Sequence, residues 1–469
     1  MRALIGPARR SSGTPFLVAN LLLAALLTGC TPTGYLAGRG TSFDEYYKPA
    51  INASHSEPTE EELPKPADPA EPVEAGSPAP TAVGADGVSL AELEQLALEQ
   101  HPAMIAAAEE ISAAEGRAWQ VGRYRNPVVG AASPQLAGSE SQYNTFISQD
   151  VLTGGKLALN TAAAYREVEQ AKLAYVRARF DVLTNLRRQF YSLLATQQRL
   201  ETLEQLEKLS QKSSELGQSL LRSGEGAKPD VLILEVEADK VELALLNEKT
   251  TLIGQRRQLA AAIGHAEMEI GLLSGELSAP LPDVEWSQMI ELALATNPQI
   301  GIAGAELERT RILLDRAIVE PKPTLNFMGG YQHQVSPIYD QAIFQVTMTV
   351  PLWDRNQGGI QAASAHHRKA HADFQKVRLS LAAQSAEALQ RFQLAHQQVE
   401  KYTQDILPKT KESIELTQKL YIEGQADFLD LLAIQRTQQE VNLSYIDAQE
   451  ARWSAAADLA NLMQVEKFP

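Results

Sequence analysis

The sequence predicts a mainly helical fold with a small membrane β part: two copies of one unit, in which long antiparallel helical hairpins join four short strands. Three observations predict it. Motifs recur in the same order at an offset near 200 residues, the longest segments carry apolar residues at coiled-coil spacing, and four shorter segments alternate apolar with polar residues. Low aromatic content (6%) and stretches rich in Ala, Leu, Glu and Gln favour helix over a packed sandwich.

The N-terminus reads as an address. Arg2, Arg9 and Arg10 precede an apolar run from Phe16 to Leu27, too short for a spanning helix, which ends in Leu27-Thr28-Gly29-Cys30. A basic start, a short apolar core and small residues before the cut describe a secretory signal over residues 1–29. The terminal cysteine makes it resemble a bacterial lipoprotein signal, which implies acylation of Cys30; an incidental cysteine after an ordinary signal is the alternative. Thr31 in place of an aspartate implies passage to the outer membrane. Cys30 is the only cysteine, so no disulfide forms within the chain.

Residues 30–87 then form an anchor and linker. Residues 44–86 hold ten acids against two lysines with many prolines, and so little apolar surface cannot offset the entropy of ordering. The chain's formal charge is −16, and loss of the three signal arginines makes the mature chain more acidic still. That balance argues against a nucleic-acid partner, because phosphate contacts need basic patches.

From residue 88 the chain repeats, giving units over 88–275 and 276–469. Leu98-x-x-His101-Pro102 returns as Leu294-x-x-Asn297-Pro298, and Asn126-Pro127 as Lys322-Pro323. Gly154-Gly155 returns as Gly358-Gly359, and Gly224, Asp230 and Leu232 return as Gly424, Asp430 and Leu432. This period is too long for a solenoid and describes duplication of a whole half. Each half predicts a first helix (88–122, 284–319), two strands, a very long helix (156–221, 359–422), a glycine-containing tip and a returning helix (229–263, 428–464).

Phe344, Val346, Met348 and Val350 alternate with Gln345, Thr347 and Thr349, while Leu325, Phe327 and Tyr331 oppose Asn326 and Gln332. Phe146 to Gln149 and Val128 to Leu136 are weaker examples, the latter because of Pro134. One-faced segments of about ten residues suit strands of a transmembrane barrel. In the returning helices, Val231, Leu234, Ala238, Val241 and Leu245 match Leu431, Ile434, Gln438, Val441 and Tyr445, a coiled-coil seam in phase between the halves. The long helices rise roughly 100 Å at about 1.5 Å per residue, several times a bilayer's hydrocarbon thickness. Their charged residues require that they cross water. Four strands cannot close a barrel in lipid, where open edges leave backbone groups unpaired. Three copies would supply twelve strands and twelve packed helices, an α-barrel continuous with a shared 12-stranded β-barrel.

Here the chain resembles the TolC-like outer-membrane factor family. The resemblance rests on the two Gly-containing tips with an Asp six residues on, on Ile406-Leu407-Pro408, and on the run Val350-Pro351-Leu352-Trp353-Asp354-Arg355-Asn356-Gln357-Gly358. It covers about residues 88–465. It implies a homotrimer in the outer membrane extending into the periplasm, with a periplasmic adaptor (a membrane fusion protein) and an inner-membrane pump of the resistance-nodulation-division type docked below. It assigns Tyr421, Asp230 and Asp430 to the periplasmic gate and lumen, and Gly224 and Gly424 to the helix-tip turns that meet the adaptor. Ala426 stands where the family has a gate arginine, and Ala433 replaces a second acid. The bland role for Asp230 and Asp430 is capping or dipole stabilisation at a helix start.

The sequence offers little catalytic chemistry. His367 and His371 share a helix face and His366 adjoins them, but no third ligand is evident and Arg368 and Lys369 oppose a cation. Metal-protease, nucleophile-elbow and phosphate-loop motifs are missing. No enzyme and no cofactor is expected. The expected function is a passive export duct, with cargo leaning to heavy-metal cations through the Asp354–Gly358 run. A drug-efflux or type I secretion duct is the alternative within the family, and a periplasmic coiled-coil adaptor or scaffold lipoprotein the alternative outside it.

Overall fold

The computed structural model describes residues 82–83, 87–135, 141–224, 227–281, 285–423, 425–426 and 428–466. All belong to one unit, Glu74–Pro469. Cys30, residues 30–81 and 84–86 of the linker, and Gly424 lie outside the described residues; Ala82 and Val83, expected in the linker, instead form a short strand paired in parallel with Glu269 and Ile270, whose backbone groups supply the partners that the segment's sparse apolar surface could not.

The first helix of each repeat is two helices rather than one. In repeat 1, α1 (Leu90–Gln100) ends before Pro102 and α2 (Pro102–Val121) starts at it. A residue preceding proline is pushed out of the α region, and His101 sits at φ −67°, ψ 128°. Its Nδ1 accepts from the Ala103 N–H at 3.1 Å and so caps α2. Repeat 2 uses the same device: α5 (Trp286–Thr296) and α6 (Pro298–Val319) meet at Asn297, which accepts from the Gln299 N–H at 3.0 Å. The repeated His/Asn-Pro motif is therefore a corner, not a mid-helix residue.

The long helix α3 runs unbroken from Lys156 to Ser223, 68 residues. No proline interrupts it, and its one glycine, Gly217, lies where a Cβ would sit 2.5 Å from Leu234 of the returning helix α4 (Lys228–Ile263). The second long helix differs. It runs as α7 (Gln357–Lys401), one π-helical turn (Tyr402–Ile406) and α8 (Leu407–Ile422), followed by the returning α9 (Phe428–Met463). Pro408 has no N–H to close an ordinary turn, and the extra residue of the π turn accommodates its ring.

Four strands form one antiparallel sheet in chain order: β1 (Val128–Gln135), β2 (Gln142–Val151), β3 (Leu325–Gln334) and β4 (Tyr339–Met348). Repeats 1 and 2 join through the β2–β3 pair, with Gln142 opposite Gln334 and Val151 opposite Leu325. β1 and β4 are the two edges. Pro134 falls at an irregularity of the ladder, where the β1–β2 register shifts between Ala132 and Gln135. The duplicated glycine pairs are not structural equivalents. Gly154 and Gly155 turn the chain into α3 at φ +74° and +73°, whereas Asn356 at φ +58° does so before α7 and Gly358-Gly359 lie inside that helix.

The main core sits midway along the hairpins. Leu186, Phe190 and Leu193 of α3, Leu259 and Ile263 of α4, Leu93 and Ala97 of α1, and Met268, Ile270 and Leu273 of the inter-repeat connector are buried there. Trp453 of α9 closes it, stacked on Tyr191 at 4.1 Å between ring centroids and donating its indole N–H to the Leu277 carbonyl at 2.9 Å. Arg452 donates to the Leu277 and Ala279 carbonyls, so the connector is bound to α9 by side chains rather than by a sheet.

Candidate functional site: a two-faced sheet and the helix tips

The register sorts the strand residues onto two faces. Opposed positions place Val129, Ile147, Val151, Leu325, Phe327, Tyr331, Phe344, Val346 and Met348 on one. The other carries Gln142, Asn144, Ser148, Asp150, Asn326, Gln332, Gln334, Gln345 and Thr347 together with Phe146, Met328 and Ile343, while Thr145, Gln149, His333 and Asp340 share the first, so each face is apolar or polar in the main rather than throughout. Polar groups on that second face pair with each other: Asn326 Nδ2 donates to Asp150 Oδ1 at 2.8 Å, and Gln142 Nε2 to Gln334 Oε1 at 3.3 Å. Phe344 stays 68% exposed and Val129 is likewise open to solvent. An outward apolar band with a polar interior is the lipid-and-lumen pattern of a membrane barrel. Among the described residues no helix is long and apolar enough to cross a membrane.

At the sheet–helix junction the repeats are tied side by side. Lys156 is buried and donates its Nζ to the Lys322 carbonyl at 2.6 Å, and the Thr153 hydroxyl donates to the Pro323 carbonyl. Lower down, the helices are linked by buried charge. Arg187, wholly buried, donates to Glu94 at 2.6 Å and to the Glu466 carbonyl at 2.9 Å. Asp458 accepts from Arg188 of repeat 1 and, at 3.2 Å, meets Arg391 of repeat 2. Arg199 reaches Glu248 of α4 at 3.0 Å, and Asp447 and Glu450 of α9 at 2.7 and 2.9 Å. Burial alone would pull the Arg199 guanidinium down, but Glu450 and Glu248 outweigh it and raise its pKa. Burial, then the charge of Glu94, pushes the Tyr191 phenol well above its ordinary value.

The far ends of the hairpins carry the residues the sequence singled out. Gly224 takes φ +81° just after α3, as a reversing helix end requires. Asp230 lies exposed in the first turn of α4 but does not cap it; Ala227 is the N-cap and makes no side-chain cap bond. Asp430 occupies the corresponding first turn of α9, also exposed, and Tyr421 is half-buried at the end of α8. Ala426 contributes only its backbone, its N–H donating to the Leu420 carbonyl at 3.2 Å together with Gln425 at 2.8 Å.

Two charged links here were missed by the reading of the sequence. Glu237 of α4 pairs with Arg436 of α9, joining the hairpins near their tips. Asp405 in the π turn is held between Lys401 at 2.5 Å and Lys409 at 3.5 Å. The Lys401 hydrogen bond, then its charge and that of Lys409, hold this carboxyl below the usual carboxylate range. The i,i+4 spacing of Lys401, Asp405 and Lys409 was the available signal; nothing local marks Glu237 and Arg436 as partners. The three histidines do not converge. His367 contacts Thr310 Oγ1 at 3.3 Å, while His366 lines an open groove of about 540 Å³ between α6 and α7. Among the described residues no group of three or more ligating side chains is placed to hold a metal ion.

Comparison with known proteins agrees with this geometry. Residues 93–265 and 289–464, one block in each repeat, match the family described as outer membrane efflux protein. The chain is 24% identical to the cobalt-zinc-cadmium resistance protein CzcC of Cupriavidus metallidurans over 360 residues, 76% of this chain and 85% of that protein. It is also 24% identical to the proteases secretion protein PrtF of Dickeya chrysanthemi, over 54% of this chain and 57% of that protein. Among solved structures it resembles the transmembrane channel CusC with a TM-score of 0.69 at 16% identity, covering 80% of this chain and 91% of that one. With strands that carry one apolar and one polar face, hairpins reaching far beyond a bilayer, and a family match across both repeats, the chain belongs to the outer membrane efflux protein family, whose members are channels that span the outer membrane and extend into the periplasm.

Proposed function

We propose that the chain is the outer-membrane duct of a tripartite export system for heavy-metal cations, acting as a homotrimer without catalysis of its own. The observation that carries this is the four-stranded sheet with two open edges: it holds a lipid-facing and a lumen-facing surface but cannot close alone. Three copies close twelve strands and continue into a helical tube roughly 100 Å long at about 1.5 Å per residue. Covalent lipid at Cys30 would add a second membrane attachment. The cation cargo is supported by the similarity to CzcC and by the Asp354-Arg355-Asn356-Gln357-Gly358 run. A resistance-nodulation-division pump would supply energy and selectivity, with a periplasmic adaptor gripping the tips at Gly224 and Gly424. Similarity to PrtF favours a second reading, a protein-secretion duct.

Asp230, Asp430 and Tyr421 are assigned to the periplasmic entrance. With Ala426 and Ala433 in place of charged residues, closure there depends on fewer ionic contacts, and Arg436–Glu237 is the link on hand between the hairpins. Purified trimers in planar bilayers should conduct in steps with cation preference, and Asp230→Asn with Asp430→Asn should reduce that preference. Unchanged selectivity in both variants removes the lumen assignment. Deletion of the gene should sensitise cells to divalent transition metals; normal metal tolerance with lost protein secretion would favour the second reading instead.

A further inference from the structure

The corner where α2 leaves the helical wall and β1 enters the sheet carries charge that the fold does not use. Arg123 and Arg125 are both exposed there. Two carboxylates upstream on α2 are already engaged, Glu110 by Arg117 at 2.7 Å and Glu115 by Lys172 at 3.4 Å. Among the described residues no carboxylate pairs with either corner arginine. The Arg123 guanidinium lies instead over the Trp119 ring, 4.2 Å from its centroid. Trp119 is itself 48% exposed, and Tyr165 of α3 is 60% exposed. Ala118 and Ala164, the residues before these two rings, belong to one small core between α2 and α3. One turn above, a Cβ at Gly122 would sit 3.2 Å from Thr161 Oγ1, so both rings lie at the same level of this helix pair.

The second repeat shows that the corner does not need these residues. The offset that carries Pro102 to Pro298 and Pro127 to Pro323 puts Asp315, Val319 and Pro321 where repeat 1 has Trp119, Arg123 and Arg125. There α6 and β3 form as α2 and β1 do. What the first corner adds is chemistry rather than architecture: two cations and two aromatic rings, all open.

The corner also borders the lipid-facing surface of the sheet. Gln149 lies on the face that bears Phe327, Phe344 and Val346, and its side-chain amide donates to the Arg125 carbonyl at 2.9 Å. From Val128 the chain enters the membrane as β1, while α2 and α3 run away from it into the periplasm. Residues 123–125 are therefore at the depth of the headgroups of the periplasmic leaflet. Tryptophan and tyrosine favour that depth, because the ring is apolar and its N–H or O–H is not. Arginine there meets phosphate, since its planar fork matches two phosphate oxygens while its face stacks on an aromatic ring.

We infer that Trp119, Arg123 and Arg125, with Tyr165, form a site for an anionic glycerophospholipid of the periplasmic leaflet. Its phosphate meets the two guanidinium groups, and the start of its acyl chains lies along the rings. The occupant follows from charge complementarity beside a surface that already faces lipid. This inference rests on residence in the outer membrane and is independent of cargo and copy number.

Native mass spectrometry of the full-length lipidated protein in detergent tests it, with phosphatidylglycerol and phosphatidylcholine of equal chain length offered in turn. The protein should keep phosphatidylglycerol under activation that strips phosphatidylcholine. Arg123→Gln with Arg125→Gln should weaken phosphatidylglycerol binding about tenfold. Lys376→Gln with Arg378→Gln removes the same charge from exposed positions on α7 and should change nothing. Equal retention of the two lipids, unchanged binding in the arginine pair, or equal loss in both pairs overturns the site. Inorganic phosphate at matched ionic strength should leave the lipid in place; displacement would reassign the arginines to the free anion. If the arginine pair fails to assemble, fluorescence of the folded protein decides. Brominated phosphatidylglycerol should quench the emission lost on Trp119→Phe more strongly than brominated phosphatidylcholine, and equal quenching overturns the site.

Discussion

Replacing Arg199 by methionine tests whether buried charge or apolar packing joins the two hairpins at mid-height. Its side chain is 17% exposed, Glu248 is 16% and Glu450 27%, whereas Asp447 lies at the rim. Breaking a fully buried pair costs about 3–5 kcal/mol, and discounting for this partial exposure leaves about 2–3 kcal/mol. Most of that is the penalty of leaving Glu248 and Glu450 desolvated without a cation. Removing the charges together therefore relieves it: Arg199→Met with Glu248→Met and Glu450→Leu should return to within about 1 kcal/mol of the parent. Thermal melts followed at 222 nm on detergent-solubilised protein give the readout, with an expected loss of about 3–6 °C for the single variant. A single variant that melts with the parent refutes a stabilising knot. A triple variant as unstable as the single one refutes the desolvation argument, because apolar replacement would then have restored nothing.

Other outcomes follow from particular contacts. Burial holds the His101 imidazole below its ordinary pKa of 6.5, so stability is full above pH 6.5 and falls as the pH drops through the window beneath it. Protonation also removes the Nδ1 acceptor of the α2 cap, so His101→Asn, the residue repeat 2 already uses, should leave neutral-pH stability unchanged and flatten the acid limb of the melting profile. Trp453→Ala should cost about 3–5 kcal/mol in thermal melts, and Trp453→Phe, which keeps a ring against Tyr191 but loses the Leu277 hydrogen bond, about 1 kcal/mol. On the strands, Phe344→Lys should impair membrane assembly by about 2–4 kcal/mol, whereas Gln345→Lys on the opposite face should assemble normally and alter conductance. Equal defects in the two would contradict the assigned faces.

The parts of the fold with local periodicity were legible in the sequence. β4 and β3 follow from alternation, and the ends of α4 and α9 fall within one residue of the predicted bounds, 229–263 and 428–464. The corners at His101 and Asn297 were visible as a repeated motif, yet a continuous apolar pattern on both sides concealed the break that proline imposes on the residue before it. Gly358-Gly359 shows the reverse: an aligned pair of letters with different backbone roles, because Asn356 had already supplied the left-handed turn. Arg199, Arg187 and Asp458 could not be read at all. Their partners lie between 49 and 279 residues away, and only the folded topology brings them together. At the tips the sequence located Gly224, Asp230, Tyr421 and Asp430 but said nothing of the Arg436–Glu237 link, for the same reason.

Electron cryomicroscopy of the full-length protein in lipid nanodiscs addresses the duct most directly. A three-fold ring is expected, with twelve strands in the bilayer and a helical tube roughly 100 Å long at about 1.5 Å per residue. A monomer with its strand edges open, or a closed ring of some other number of copies, would contradict it.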